Sequence, residues 1–227
     1  MVQKYHYTKD PTRLTRFLIM MLKLFLVADI LFVIANISNL SLTIGLGPFH
    51  PTLYVLIVLA FYITLVMTWI AFIKWKYRAN LNCQGFGAQG MRFKPESVTI
   101  YYFIPFLNLV KPYQAMTEIW KVGKNPSKWQ DEKESPLIIW WWILWLGFWS
   151  FFLLAYFISQ YEYAIVKNLR LSFSFLSDAI FILMTIEGII GIYSCIVTIR
   201  LVLIIFGMQE DLVRGQSYEK ERTIKGK

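Results

Sequence analysis

Apolar residues run almost unbroken through four stretches of the chain, at about 17–40, 53–73, 137–158 and 179–205. Each is long enough to cross a hydrocarbon layer about 30 Å thick, which takes about 20 helical residues. Asp10 and Pro11 stand before the first stretch and read as an N-cap followed by proline in the first turn. That first stretch is too long for a removable signal peptide and lacks a small-residue cleavage site. The pattern predicts an all-α integral membrane protein with four transmembrane helices, a single membrane domain over residues 1–227 without a soluble domain.

A fifth apolar stretch, SVTIYYFIPFLNLV from Ser97 to Val110, is only about 21 Å long as a helix, too short to span. In a helix, Pro105 would remove a backbone donor and free the carbonyl of Tyr101, and Asn108 offers an amide to satisfy such a group. This stretch reads as a re-entrant or interfacial segment dipping in from the cytoplasmic side. Pro112 then opens a short amphipathic helix. Tyr113, Met116, Ile119 and Trp120 share one side, and Gln114, Thr117, Glu118 and Lys121 share the other. Gly123 closes it. The dipping segment and the helix, together at about 97–122, are expected on the inner leaflet, the helix lying on its surface.

Composition strengthens the membrane reading. The chain has 227 residues, 57% hydrophobic, 18% aromatic and 16% charged, more apolar surface than a soluble fold of this size can hide. Disorder, collagen-like repeats and a disulfide framework are excluded by the same figures. The net charge of +9 would suggest nucleic acid in a soluble protein. Here its distribution says otherwise. Lys4, Lys9, Arg13 and Arg16 precede the first span, the link before the second has no Lys or Arg, and the long link from Lys74 to Lys133 is strongly basic. The link after the third span carries only Lys167 and Arg170, and the tail is basic again. This alternation predicts both termini in the cytoplasm (N-in, C-in). Nucleic acid is not an expected partner. The bilayer is, with anionic lipid headgroups on the cytoplasmic side.

The long link also carries a recognisable pattern: WKYRANL, then RFKP, then YYFIPFLNLVKPYQAMTEIW, over residues 75–120. Arg78, Asn80, Arg92, Phe93, Pro95, Ile104, Pro105, Asn108, Leu109, Pro112, Tyr113, Glu118 and Trp120 resemble the signature of a bacterial membrane family, domain of unknown function 4328. Glu96 and Ser97 stand where that family has a glycine and an aromatic. The resemblance implies a multi-pass protein of a bacterial inner membrane and supplies no activity, cofactor or catalytic residue. Within the pattern, Arg78, Asn80, Arg92, Pro95, Pro105, Asn108, Pro112, Tyr113 and Trp120 form a candidate cytoplasmic interface.

Inside the spans, ionisable residues cost about 2.5–3.5 kcal/mol each near the centre, so each needs a reason. Lys23 and Arg200 are near enough to an edge to snorkel. Asp29 and Glu187 are not, and on helices running in opposite directions they come out at similar depth. Asp29 shares a face with Asn36 and Asn39, and Glu187 shares one with Gly191, Cys195 and Thr198. Small residues at this spacing let helices approach closely, as do Ala60, Thr64 and Thr68 in the second span. Spans one, two and four are therefore expected to pack together, with the third more peripheral. Trp140, Trp141 and Trp142 would form an aromatic belt there, and Trp145 and Trp149 a packing stripe. Asp29, Asn36 and Glu187 form the candidate intramembrane polar site. It reads either as carboxyls hydrogen-bonded across a helix contact or as a proton or cation relay.

Cys83 and Cys195 cannot make a four-ligand metal site, the histidines are His6 and His50, and no HExxH, CxxC or phosphate loop occurs. No cofactor is expected. An intramembrane carboxyl dyad is the weakest reading, so the protein is not expected to be an enzyme. The leading expectation is a small membrane protein that forms homo-oligomers or serves as an accessory subunit of a larger assembly. The alternative is an ion- or proton-conducting component using Asp29 and Glu187.

Overall fold

The computed structural model describes residues 5–39, 50–169 and 173–225, with side chains described for 5–39, 50–161 and 176–215. The link 40–49, both extreme termini and the side chains of Lys167 and Arg170, which carry part of the charge pattern behind the expected orientation, lie outside the described residues. Among the described residues the chain is all helical. The helices are α1 (Thr12–Asn39), α2 (Pro51–Gly85), α3 (Ser97–Ile100), α4 (Lys111–Lys124), α5 (Pro136–Leu169) and α6 (Phe173–Lys225), with 3-10 turns at Leu107–Leu109 and Pro126–Asp131. Four of them, α1, α2, α5 and α6, are long and apolar enough to cross a membrane.

Asp10 caps α1 as expected: its Oδ1 accepts the Thr12 N–H at 2.8 Å, and the Pro11 carbonyl accepts the Thr15 N–H at 2.8 Å. Hydrogen bonding from the Thr12 side chain and N–H, then the charges of Arg78 and Arg13, hold the Asp10 carboxyl below the usual range. The second helix departs from expectation. Its apolar run ends near Ile73, yet α2 continues to Gly85. Trp75, Lys76, Ala79, Asn80 and Cys83 follow one another at helical spacing and are all buried. The extension is an amphipathic helix whose buried side includes polar groups, so apolar content alone missed it.

Contacts along the chain divide it into two compact units. The first comprises Met1–Met20, Trp69–Trp140 and Thr198–Lys227. Its interior includes Trp75, Phe86, Met116, Ile119, Leu201 and Ile205. Helix α4 runs through that interior. The surface helix expected here is instead buried on both sides, Thr117 and Glu118 of its polar side included. Polarity along a helix marks a face that needs partners, and here protein groups rather than water supply them.

The segment before α4 is not one helix. After the single turn of α3, Phe106 takes φ 63° and ψ −40°, and the Leu107 N–H reaches back to the Pro105 carbonyl at 2.8 Å. That is a γ-turn at positive φ, a strained conformation for a side chain of this size. No helix passes through Pro105, so no freed carbonyl awaits Asn108. Phe106 is 83% exposed, and Phe103, Leu109 and Val110 are exposed beside it in the chain.

The second unit comprises Met21–Thr68 and Trp141–Val197. Phe32 stacks on Phe61 at 4.3 Å between ring centroids, and Phe25 meets both Phe61 and Phe148. Polar side chains bond across helix contacts: Thr68 Oγ1 donates to the Met21 carbonyl at 3.1 Å, and the Cys195 thiol to the Leu22 carbonyl at 3.0 Å. Thus α1, α2 and α6 are in contact here, and α5 is the least buried of the four long helices. The expected aromatic belt is corrected. Trp140 is exposed, but Trp141 and Trp142 are buried, and Trp142 stacks on Trp145 at 4.7 Å.

Candidate functional site

In the second unit Asp29 of α1 is fully buried, and neither of its carboxyl oxygens has a hydrogen-bond partner. A Cβ added at Gly188 would come within 3.2 Å of Oδ1, and one at Gly191 would run into Oδ2. The carboxyl therefore lies in a cradle on α6 that only glycine leaves open. Glu187, next to Gly188 in the chain, is also buried with Oε1 unpartnered, and the two carboxyls are close enough to feel each other's charge. Asp29 thus lies against the turn of α6 that carries Glu187.

Asn36 does not join them. Its Nδ2 donates to the Phe32 carbonyl at 2.9 Å, and the Tyr54 hydroxyl donates to its Oδ1 at 3.2 Å. One turn of sequence further, Asn39 likewise donates to the Ala35 carbonyl. The shared face is real, but these amides serve the helix's own backbone and Tyr54. Among the described residues no three His, Cys, Asp or Glu side chains gather to hold a metal ion, and Cys83 and Cys195 are free thiols.

In the first unit the central motif holds the interior together. Glu118 of α4 is buried and accepts three hydrogen bonds: from Arg92 Nε at 2.9 Å, from the Arg92 N–H at 3.3 Å and from the Phe93 N–H at 3.3 Å. Asn80 Nδ2 donates to the Phe93 carbonyl at 3.2 Å. Lys76 is fully buried. Its Nζ donates to the Tyr102 hydroxyl at 3.1 Å and the Pro112 carbonyl at 2.7 Å, and lies 4.9 Å from the Tyr102 ring centroid. Burial also pushes the Tyr102 phenol up from its ordinary pKa.

The candidate interface residues therefore separate. Asn80, Pro95, Pro112 and Trp120 are interior. Arg92 is exposed but tied to Glu118, Arg78 donates to the Asp10 carbonyl at 3.0 Å, and Tyr113 donates to Glu134 at 3.0 Å. Pro105 and Asn108 lie in the exposed apolar turn. Lys76 belongs to the basic link that the charge pattern assigns to the cytoplasmic side, and Glu118 to the polar side of the expected surface helix, yet both are interior. Their interior roles depend on Pro112 and Arg92, far away along the chain. The only signal in the sequence was that Lys76 lies at helical spacing from Asn80 and Cys83.

A family model described as Domain of unknown function (DUF4328) matches residues 49–205. The match reaches well beyond the central segment that carried the resemblance. It takes in that motif and Glu187, and starts after Asp29. No curated protein and no solved structure matches the chain.

Proposed function

The chain belongs to the DUF4328 family, and from that membership, four helices able to cross a bilayer and a buried carboxyl pair, we propose a membrane protein that holds and passes protons or small cations at Asp29 and Glu187. The observation that carries this reading is the Asp29 carboxyl, fully buried with both oxygens unpartnered in a glycine cradle beside a second carboxyl. Buried polar groups are nearly always hydrogen-bonded, and one left without a donor is a site at which a proton or cation satisfies the oxygen. Two carboxylates side by side in a medium of low dielectric repel strongly, which favours holding such a charge between them. The alternating basic links support placing both termini in the cytoplasm of a bacterial inner membrane.

The test is flux in proteoliposomes driven by a membrane potential, read with an internal pH dye. The wild-type protein is expected to admit protons, and Glu187→Gln and Asp29→Asn to reduce the rate at least about tenfold, as for loss of a transferring group. Both variants must elute as the wild type does, since an amide imitates a protonated acid in shape. A wild-type protein without proton or sodium flux that purifies with other subunits sinks this reading in favour of an accessory role.

A further inference from the structure

We propose that a cleft in the first unit, between the start of α1 and the end of α2, binds the phosphate headgroup of an anionic phospholipid. The cleft has a volume of about 280 Å³ and is lined on its polar side by Lys9, Lys74 and Arg78. Leu14, Ile73 and Leu81 form apolar walls, and Tyr77 and Thr99 add hydroxyl-bearing side chains. Three cations lining one cavity make it attractive to an anion, since their like charges repel one another less when an anion sits among them. Among the described residues the ion pairs are Arg92–Glu118, Lys121–Glu134 and Arg214–Glu210, and none of these neutralises the cleft.

Two carboxylates lie nearby and offset part of this charge, but among the described residues neither forms an ion pair with a cation of the cleft. Asp10 accepts the Thr12 N–H, and Glu96 lies 3.5 Å from the Tyr77 hydroxyl. Arg78 donates through Nη1 to the Asp10 carbonyl, which fixes its guanidinium while leaving other N–H groups for a phosphate oxygen.

Position in the chain selects a lipid over a free anion. Lys74 is the first charged residue after the apolar run that ends at Ile73, and Ile70, one turn earlier, is an exposed apolar side chain suited to acyl chains. The cleft thus lies where hydrocarbon gives way to headgroups. Its volume suits a headgroup rather than a whole lipid, whose chains would continue along the apolar helix surface. Thr99 belongs to α3, which leads directly into the exposed turn of Phe103 and Phe106, a segment suited to the same interface. The inference is independent of the carboxyl pair, which lies in the other unit.

Native mass spectrometry of the detergent-purified protein tests it, with phosphatidylglycerol and phosphatidylcholine of matched chains as probes. The wild type is expected to retain phosphatidylglycerol preferentially. Lys9→Gln combined with Lys74→Gln, both exposed and, among the described residues, without bonds through their ammonium groups, is expected to weaken that retention about thirtyfold, from the attraction per basic residue near an anionic surface. Lys128→Gln combined with Lys133→Gln removes the same charge from exposed positions elsewhere in the unit and is expected to leave retention within about twofold, as screening allows. Equal retention of the two lipids, or equal loss in both double variants, would overturn the proposal. Inorganic phosphate alone binding as tightly as the lipid would assign the cleft to a free anion and overturn it too.

Discussion

Glycine at 191 is required by what faces it. A methyl group there would strike Asp29 Oδ2 and come within 3.1 Å of the Phe148 ring. Alanine is worth about 1 kcal/mol over glycine in an aqueous helix interior, but overpacking a tight contact costs about 1–3 kcal/mol. Gly191→Ala is therefore expected to destabilise the protein by about 1 kcal/mol net and to lower its melting temperature in detergent. Gly207→Ala is the control on the same helix, because a Cβ there meets nothing within 4 Å. It should be neutral or slightly stabilising. Equal effects of the two would mean that Asp29 does not lie against α6. The glycines themselves were visible as a small-residue stripe, but a stripe does not say which side chain fills it.

Helix α4 shows how the same residue types carry different weight once packed. Glu118 gathers two main-chain N–H groups and the Arg92 side chain, and it is buried, whereas the Arg92 side chain is 69% exposed. Glu118→Ala is expected to cost about 3 kcal/mol, because it leaves two donors without acceptors in the interior. Arg92→Ala is expected to cost under about 1 kcal/mol, since an exposed ion pair is worth little and Glu118 keeps its main-chain donors. Thermal unfolding in detergent distinguishes the two. Equal losses would place the stability in the ion pair rather than in the loop that Glu118 holds. The amphipathic pattern of α4 was legible, and its length was close. Its burial was not, because the partners that satisfy its polar side stand at positions 92 and 93, some two dozen residues earlier.

For the molecule in its membrane, the proposed orientation has one spanning helix, α2, between His50 and Lys124, and so puts them on opposite sides of the bilayer. Both are exposed. In a cysteine-free background, His50→Cys is expected to react with an impermeant thiol reagent in intact spheroplasts, and Lys124→Cys only after lysis. Labelling of Lys124→Cys from outside would overturn the proposed orientation. The exposed turn at Phe106 does not enter this count, because no helix of spanning length exists between Gly85 and Pro136.

The four spans, the cap at Asp10 and the common depth of Asp29 and Glu187 follow from the sequence by itself. Each rests on local physics: the length of hydrocarbon, the unsatisfied donors of a helix start, and a fixed rise per residue. Tertiary structure alone decided that Asn36 turns to its own backbone and Tyr54, that Trp141 and Trp142 are interior, and that Lys76 and Glu118 are buried among hydrogen-bond partners. A polar or aromatic side chain on a helix is compatible with water, headgroups or a protein partner, and only the position of distant chain segments selects among them.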